Sequence, residues 1–260
     1  MSIPTDHPRA SSLKIRERII EGMHSKIVAE AGLIAHGRGE AFDYLLGEKT
    51  QPFAITQQKA AVAMMLNAEK PVISINGNVA VLCPIDVIRL SEIINAPLEV
   101  NLFYKRAERE KLVAEKLFKA GAKQILGIES KYQTNIPELT HTRRVVDKRG
   151  IFSADVVFVP LEDGDRTIAL RKMGKKVITV DLNPLSRTSL SSNISIVNNI
   201  IRSVPEMIEV AKILKKSDKA LLEKIINAFD NGVSLKTSLD FISERLKRLS
   251  VDEISKYERS

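Results

Sequence analysis

The chain of 260 residues contains one cysteine, Cys83, and no tryptophan. A lone cysteine excludes an internal disulfide and leaves no CxxC pair for zinc or dithiol chemistry, so a reducing cytoplasm is the expected setting. Its place before Pro84 suits a small apolar filler at a helix start. Histidine is scarce as well: His7, His24, His36 and His141 show no HExxH or other metal-like spacing, and no zinc site is expected. Apolar runs are short. The segment 59-KAAVAMML-66 falls well below the ~20 residues that span a bilayer, and the amino terminus carries no signal-peptide pattern, so no membrane association is expected. There is no GxxxxGK[ST] phosphate loop, and no GxGxxG, because Phe42 stands where a third glycine would follow Gly37 and Gly39. GxSxG is missing too, and with it the usual serine nucleophile. No internal repeat or low-complexity linker is present.

What is present is an ordinary globular composition, 44% hydrophobic and 28% charged, with a formal charge of +8. The excess of lysine and arginine raises the question of nucleic acid. Basic and acidic residues alternate in 105-KRAEREKLVAEK-116, the pattern of a solvated helix face, and an anionic small-molecule ligand accounts for the charge without nucleic acid.

Residues 12–30 carry apolar side chains at helical spacing, with Ser11 and Ser12 as candidate caps. A glycine-rich stretch, 32-GLIAHGRGEAFDYLLGE-48, reads as a loop leading into a short helix, and residues 55–70 form a third helix. From residue 71 the period changes. Short β-rich runs at 71–76, 98–103, 123–127, 155–160, 176–182 and 194–197 alternate with helical patterns, notably 84–96, opened by Pro84, and 106–121, closed by Gly121. Such alternation predicts βαβ units, and near-continuous apolar strands predict a parallel sheet covered on both faces. Helical patterns follow near 205–214, 218–229 and 235–249 and are expected to pack outside the sheet or on a partner. The expected organisation is one structural domain: a helical segment over residues 1–70, an α/β core over 71–202 and carboxy-terminal helices over 203–260.

In an open parallel sheet, ligands lie beyond the carboxyl ends of the strands. Those ends carry 76-NGN-78, 101-NLFYKR-106, 162-EDGDRT-167, 181-DLNPLSRT-188 and 198-NNI-200. In 181-DLNPLSRT-188, Asp181 and Asn183 suit ribose and base, and Arg187 with Thr188 suits phosphate; a capped turn is the competing reading. In 36-HGRGE-40, two glycines would permit close backbone approach and Arg38 could fork onto phosphate, against a plain flexible loop. Glu162, Asp163 and Asp165 could hold Mg²⁺ or merely cap a helix.

Taken together, 34-IAHGRGEAFDYLLGE-48, 71-PVISINGNVAVL-82, 98-LEVNLFYKR-106, 155-DVVFVPLEDGDRT-167 and 178-ITVDLNPLSRT-188 resemble the archaeal phosphopantothenate synthetases, or 4-phosphopantoate:β-alanine ligases. The resemblance runs from about His7 to about Leu214. It implies a Rossmann-like three-layer α/β sandwich with a mostly parallel sheet, flanked by the helical amino-terminal segment and the helical carboxy-terminal extension, in a cytoplasmic homodimer. The activity it implies is ATP-dependent joining of 4-phosphopantoate and β-alanine through an acyl-adenylate in coenzyme A biosynthesis, releasing AMP and diphosphate, with Mg²⁺ expected alongside ATP. Carried over by motif, the ATP contacts are Arg16, Arg38, Asp181, Leu182, Asn183, Arg187, Thr188, Asn199 and Ile200. His36, Arg38 and Asn76 are the catalytic candidates, and Asn78, Asn101 and Arg106 the substrate contacts, with Arg143 or Arg149 as further phosphate ligands. Without the resemblance, Arg16 reads as a solvated helix arginine. Two alternatives stand beside the ligase: a nucleotide-cofactor-dependent oxidoreductase on a similar sheet, which lacks its glycine fingerprint, and a non-enzymatic nucleotide-binding module.

Overall fold

A computed structural model describes residues 10–103, 107–136, 144–161 and 163–248. Three helices come first, α1 (Ala10–His24), α2 (Glu30–Leu46) and α3 (Pro52–Leu66). Then follow β1 (Pro71–Ile75), α4 (Gly77–Leu82), α5 (Pro84–Ile94), β2 (Leu98–Val100) and α6 (Ala107–Lys119). The middle of the chain gives β3 (Gln133–Asn135), β4 (Val145–Asp147), β5 (Val156–Phe158), α7 (Gly164–Lys172), β6 (Lys176–Val180), α8 (Arg187–Ser191) and β7 (Ile194–Ile196). Last come α9 (Ile200–Leu214), α10 (Lys219–Asn227) and α11 (Asn231–Arg248).

β2, β1, β5, β6 and β7 form, in that order, one five-stranded parallel sheet. All their residues but Lys176 are buried, which accounts for the continuous apolar runs. Alternate residues serve opposite faces. Ile73, Ile75, Phe158 and Ile178 join the larger cluster with Val62, Leu90 and Val204 of α3, α5 and α9, while Val72, Val157 and Val177 join a smaller one with Leu170 of α7 and Val146 of β4. The result is the expected three-layer α/β sandwich.

Four details depart from the sequence reading. The run at 123–127 contributes one parallel bridge, Leu126 to Glu99, and then turns away at Gly127, whose φ of +88° and close approach to the Val100 carbonyl admit no side chain without strain. An antiparallel pair, β3 with β4, went unforeseen because each strand is three residues long and β3 is polar. Buried Glu99 steadies it, accepting from the backbone N–H groups of Asp147 at 2.9 Å and Ile151 at 2.6 Å. Burial pushes the Glu99 carboxyl up to about 7, against those two hydrogen bonds and the Arg166 charge. α1 already runs from Ala10, so both candidate cap positions, 11 and 12, lie inside the helix. Finally, α9 begins at Ile200, five residues before Pro205; proline at the first turn is the commoner signal, but here the Asn199 side chain accepts from Ile201 N–H and starts the helix.

The carboxy-terminal helices pack outside the sheet, α10 on α3 and α11 across α2, α3 and α8. Asn231 Oδ1 accepts from Ser195 N–H at 2.8 Å, so this tail also satisfies an edge group of β7. No helix among the described residues is long and apolar enough to cross a membrane.

Candidate active site

The strand order reverses at β1, with β2 on one side and β5, β6 and β7 on the other, and in parallel sheets such a reversal is where ligands bind beyond the carboxyl ends of the strands, here β1 and β5. Asn76 spans these two ends. Its Nδ2 donates to the carbonyls of Pro160 at 3.1 Å and Leu161 at 3.0 Å, and its Oδ1 accepts from Val79 N–H as the cap of α4. Leu161 has φ of +56°, a left-handed conformation held by this clamp.

The other strand-end asparagines are likewise engaged with the backbone. Asn78 Nδ2 donates to the Gly32 carbonyl at 2.9 Å, and Asn101 Nδ2 to that of Val145 at 2.9 Å. Both nominated substrate contacts therefore tie secondary structure together at the rim. Arg106, Arg143, Glu162, His7 and His141 lie outside the described residues. Arg149 is bound to Asp147 at 2.8 Å and Glu129 at 3.0 Å and stacks 3.5 Å from the Tyr132 ring centroid, so its guanidinium is engaged within the β3–β4 region.

After β6 the chain forms a self-satisfied loop. Asp181 accepts from Asn183 N–H at 2.9 Å and from Ser186 Oγ at 2.5 Å, Asn183 Oδ1 accepts from Leu185 N–H at 2.9 Å, and Ser186 Oγ caps α8 through Ser189 N–H. Burial raises the Asp181 carboxyl above its ordinary range, offset by Ser186, Asn183 and the Arg38 charge. Arg187, exposed at the start of α8, pairs with Asp165 at 2.6 Å, and Thr188 is buried behind it. Asp163 caps α7 by accepting from Arg166 N–H at 2.9 Å. The helix-capping reading of 162-EDGDRT-167 is thus the one realised at Asp163, and among the described residues no group of three His, Cys, Asp or Glu side chains could hold a metal ion.

HGRG is not a loop. Gly32, Gly37 and Gly39 all lie inside α2. Gly32 is required by close packing, since a Cβ there would come within 2.5 Å of Asn78 Oδ1, and a Cβ on Gly39 would meet Leu182 of the 181–186 loop at 3.6 Å. The helix therefore brings Arg38 toward Asp181, and His36 toward Arg16 of α1. His36 Nε2 is buried with no hydrogen-bond partner. Burial lowers its pKa, Arg16 adds to that effect, and Glu40 and Asp43 oppose it. At the next corner Asn199 donates from Nδ2 to Asp43 Oδ2 at 2.9 Å, joining α9 to α2.

Arg16, Arg38, His36, Asp181, Leu182 and Asn199 thus come from separate parts of the chain to one region. Asp43 and Arg202 belong to it and were missed, since their ion pair spans 159 positions and neither lies in a recognisable motif. The arrangement offers cationic and hydrogen-bonding groups but no activated serine or cysteine; Cys83 is buried, which pushes its thiol pKa up.

The family model described as phosphopantothenate/pantothenate synthetase matches residues 53–245. Proteins named 4-phosphopantoate--beta-alanine ligase are similar almost end to end. That of Thermococcus kodakarensis is 52% identical over 98% of this chain and 97% of its own length, and that of Methanosarcina mazei 48% identical over 96% and 98%. The chain belongs to the phosphopantothenate/pantothenate synthetase family. A more distant relative of the same name, from Methanospirillum hungatei, is 41% identical over 94% of this chain. The oxidoreductase and binding-module alternatives have no counterpart among these relatives. For a phosphopantothenate synthetase, a site built from arginines and backbone-anchored turns with no nucleophile is chemically coherent, because charge stabilisation and positioning can carry acyl activation.

Proposed function

We propose that the protein is an ATP-dependent ligase that condenses 4-phosphopantoate with β-alanine to 4′-phosphopantothenate. The full-length identity to relatives bearing that name carries this reading. In the reaction, the phosphopantoate carboxylate attacks the α-phosphate of ATP and diphosphate leaves; the neutral β-alanine amine then attacks the acyl-adenylate carbonyl, AMP departs, and the amine proton passes to solvent. Asp181, Leu182 and Asn183 face the nucleoside, Asn199 and Ile200 bound it at the start of α9, and Arg16, Arg38 and Arg187 face the phosphates, with Thr188 backing Arg187 from its buried position.

His36, two positions before Arg38 on α2, would serve as a neutral imidazole that donates to or accepts from the reacting groups. Asn76 acts by tying the ends of β1 and β5 together beside the bound substrates; Asn78 and Asn101 shape the rim. Mg²⁺ enters with the phosphates of ATP, which it ordinarily accompanies with only one or two protein carboxylates. The enzyme works as a cytoplasmic homodimer.

The test incubates the protein with ATP, Mg²⁺, β-alanine and either pantoate or 4-phosphopantoate. AMP and 4′-phosphopantothenate are expected from the phosphorylated acid. Release of ADP, or turnover of pantoate alone, would overturn the assignment.

A further inference from the structure

Asp43 is a buried carboxylate, 6% exposed, on the helix that carries His36 and Arg38. Its Oδ2 accepts from Asn199 Nδ2 at 2.9 Å and from Arg202 Nη1 at 3.1 Å, and its Oδ1 from Arg202 Nη2 at 2.5 Å. Arg202 donates through Nε to Asn198 Oδ1 at 3.0 Å, and that oxygen also accepts from Asn199 N–H at 2.8 Å. Asn198 Nδ2 donates in turn to Thr50 Oγ1 at 2.9 Å. The first turn of α9 is therefore tied to α2 and to the segment before α3 by a continuous network of polar groups, beside the apolar packing of Ile200 and Val204.

Apolar residues would hold two helices together at lower desolvation cost than a buried ion pair. What a carboxylate with three donors supplies is direction. Asn199 Oδ1 reaches Ile201 N–H at only 3.3 Å, so the shorter bond from Nδ2 to Asp43 sets the plane of its amide. The group also borders open space: Asp43, Asn199 and Arg202 line a cavity of about 140 Å³ between α1, α2 and α9.

We infer that Asp43 is a positioning residue for the nucleotide, acting through Asn199 and Arg202 to hold the start of α9 in register with Arg38. This rests on the proposed assignment of Arg38, Asn199 and Ile200 as ATP contacts.

A double-mutant cycle in ATP affinity, measured by calorimetry with wild type, Asp43→Ala, Asn199→Ala and the double variant, tests it. Each single change is expected to weaken ATP about tenfold, the size of one lost hydrogen-bonded group, and the double variant no further. Asp43→Asn keeps a neutral acceptor and the shape of the site; folded, though with a lowered Tm from the unpaired Arg202 charge, it should show an intermediate loss of ATP affinity. In turnover, the KM for ATP should rise while that for β-alanine stays within about twofold, the split expected of a nucleotide-side effect. Unchanged ATP affinity in a folded Asp43→Asn variant, additive losses in the cycle, or an equal rise in every KM would overturn the inference. A wild type that binds ATP but forms no AMP would instead refute the ligase assignment, leaving the affinity cycle to judge Asp43.

Discussion

Helix α2 and the 181–186 loop meet where Gly39 approaches Leu182, and they present opposite chemistry to the same region. In the loop, Asp181, Asn183 and Ser186 hydrogen-bond one another and the local backbone, so the turn is fixed before any ligand arrives. On α2, a regular helix supplies the rigidity, and polar groups are left over: Arg38 is exposed and His36 Nε2 is buried without a partner. A self-satisfied turn and a helix with polar groups to spare thus come from two different devices. The difference predicts that changes on α2 should act on phosphate binding and chemistry, whereas changes in the loop should act through its shape.

The largest effect compares the arginine of α2 with the one that opens α8 just past the loop. Arg38→Ala is expected to lower kcat/KM about a hundredfold or more with the fold intact, the loss usual for one group stabilising transition-state charge. Arg187→Ala should cost less, about tenfold, because Arg187 is already shared with Asp165 across an exposed ion pair of little stabilising value. Steady-state kinetics with ATP varied would check both. Equal losses would dissolve the distinction between the two elements, and wild-type rates in both would remove these arginines from the site.

A smaller effect concerns pH, and the two regions should respond with opposite sign. His36 titrates below its ordinary 6.5 because burial disfavours the imidazolium, with Arg16 adding to this and Glu40 and Asp43 opposing. The unfolded chain therefore takes up that proton first, so the stability held in neutral His36 is intact above about 6.5 and is lost as pH falls through the depressed folded value. Asp181 titrates above its ordinary 3.8, chiefly through burial, so its folded state keeps the proton longer and its contribution is lost as pH rises through that window. Melting curves of wild type, His36→Gln and Asp181→Asn across pH 4 to 8 (a range set by about one unit either side of carboxylate and imidazole values) would separate the two. If His36→Gln melted in parallel with wild type throughout, His36 would not be the group left unsatisfied.

Much of this was legible in the sequence. The parallel sheet was, because strands buried on both faces must be apolar throughout, as Val72, Ile73, Val157 and Ile178 are. The 181–186 loop was, because Asp, Asn, Pro and Ser after a strand have few uses other than a turn. HGRG misled because glycine twice in four residues reads as a loop, whereas tertiary contact holds it helical: the Gly32 carbonyl accepts from Asn78, and the glycine surfaces pack close to Asn78 and Leu182. Asp43 and Arg202 had no local signal. An acid in one helix and a base in another, 159 positions away, become a pair only when the fold exists.

The smallest expected effect bears on why α2 carries glycine at all. Gly32 has a steric reason, but a Cβ on Gly37 would meet nothing within 4 Å, so the folded protein alone does not demand glycine there. Helix propensity favours alanine by about 0.5–1 kcal/mol at such a position. Gly37→Ala should therefore raise stability by roughly that amount in urea unfolding. Activity is the informative readout. Position 37 neighbours Arg38 on an open helix surface, and a ligand phosphate drawn to Arg38 would lie near the same backbone. A methyl group there should raise the KM for ATP by about two- to fivefold while leaving that for β-alanine unchanged, the pattern of a lost ground-state contact. Stabilisation with no change in either KM would mean that nucleotide approaches only the Arg38 guanidinium and never the α2 backbone.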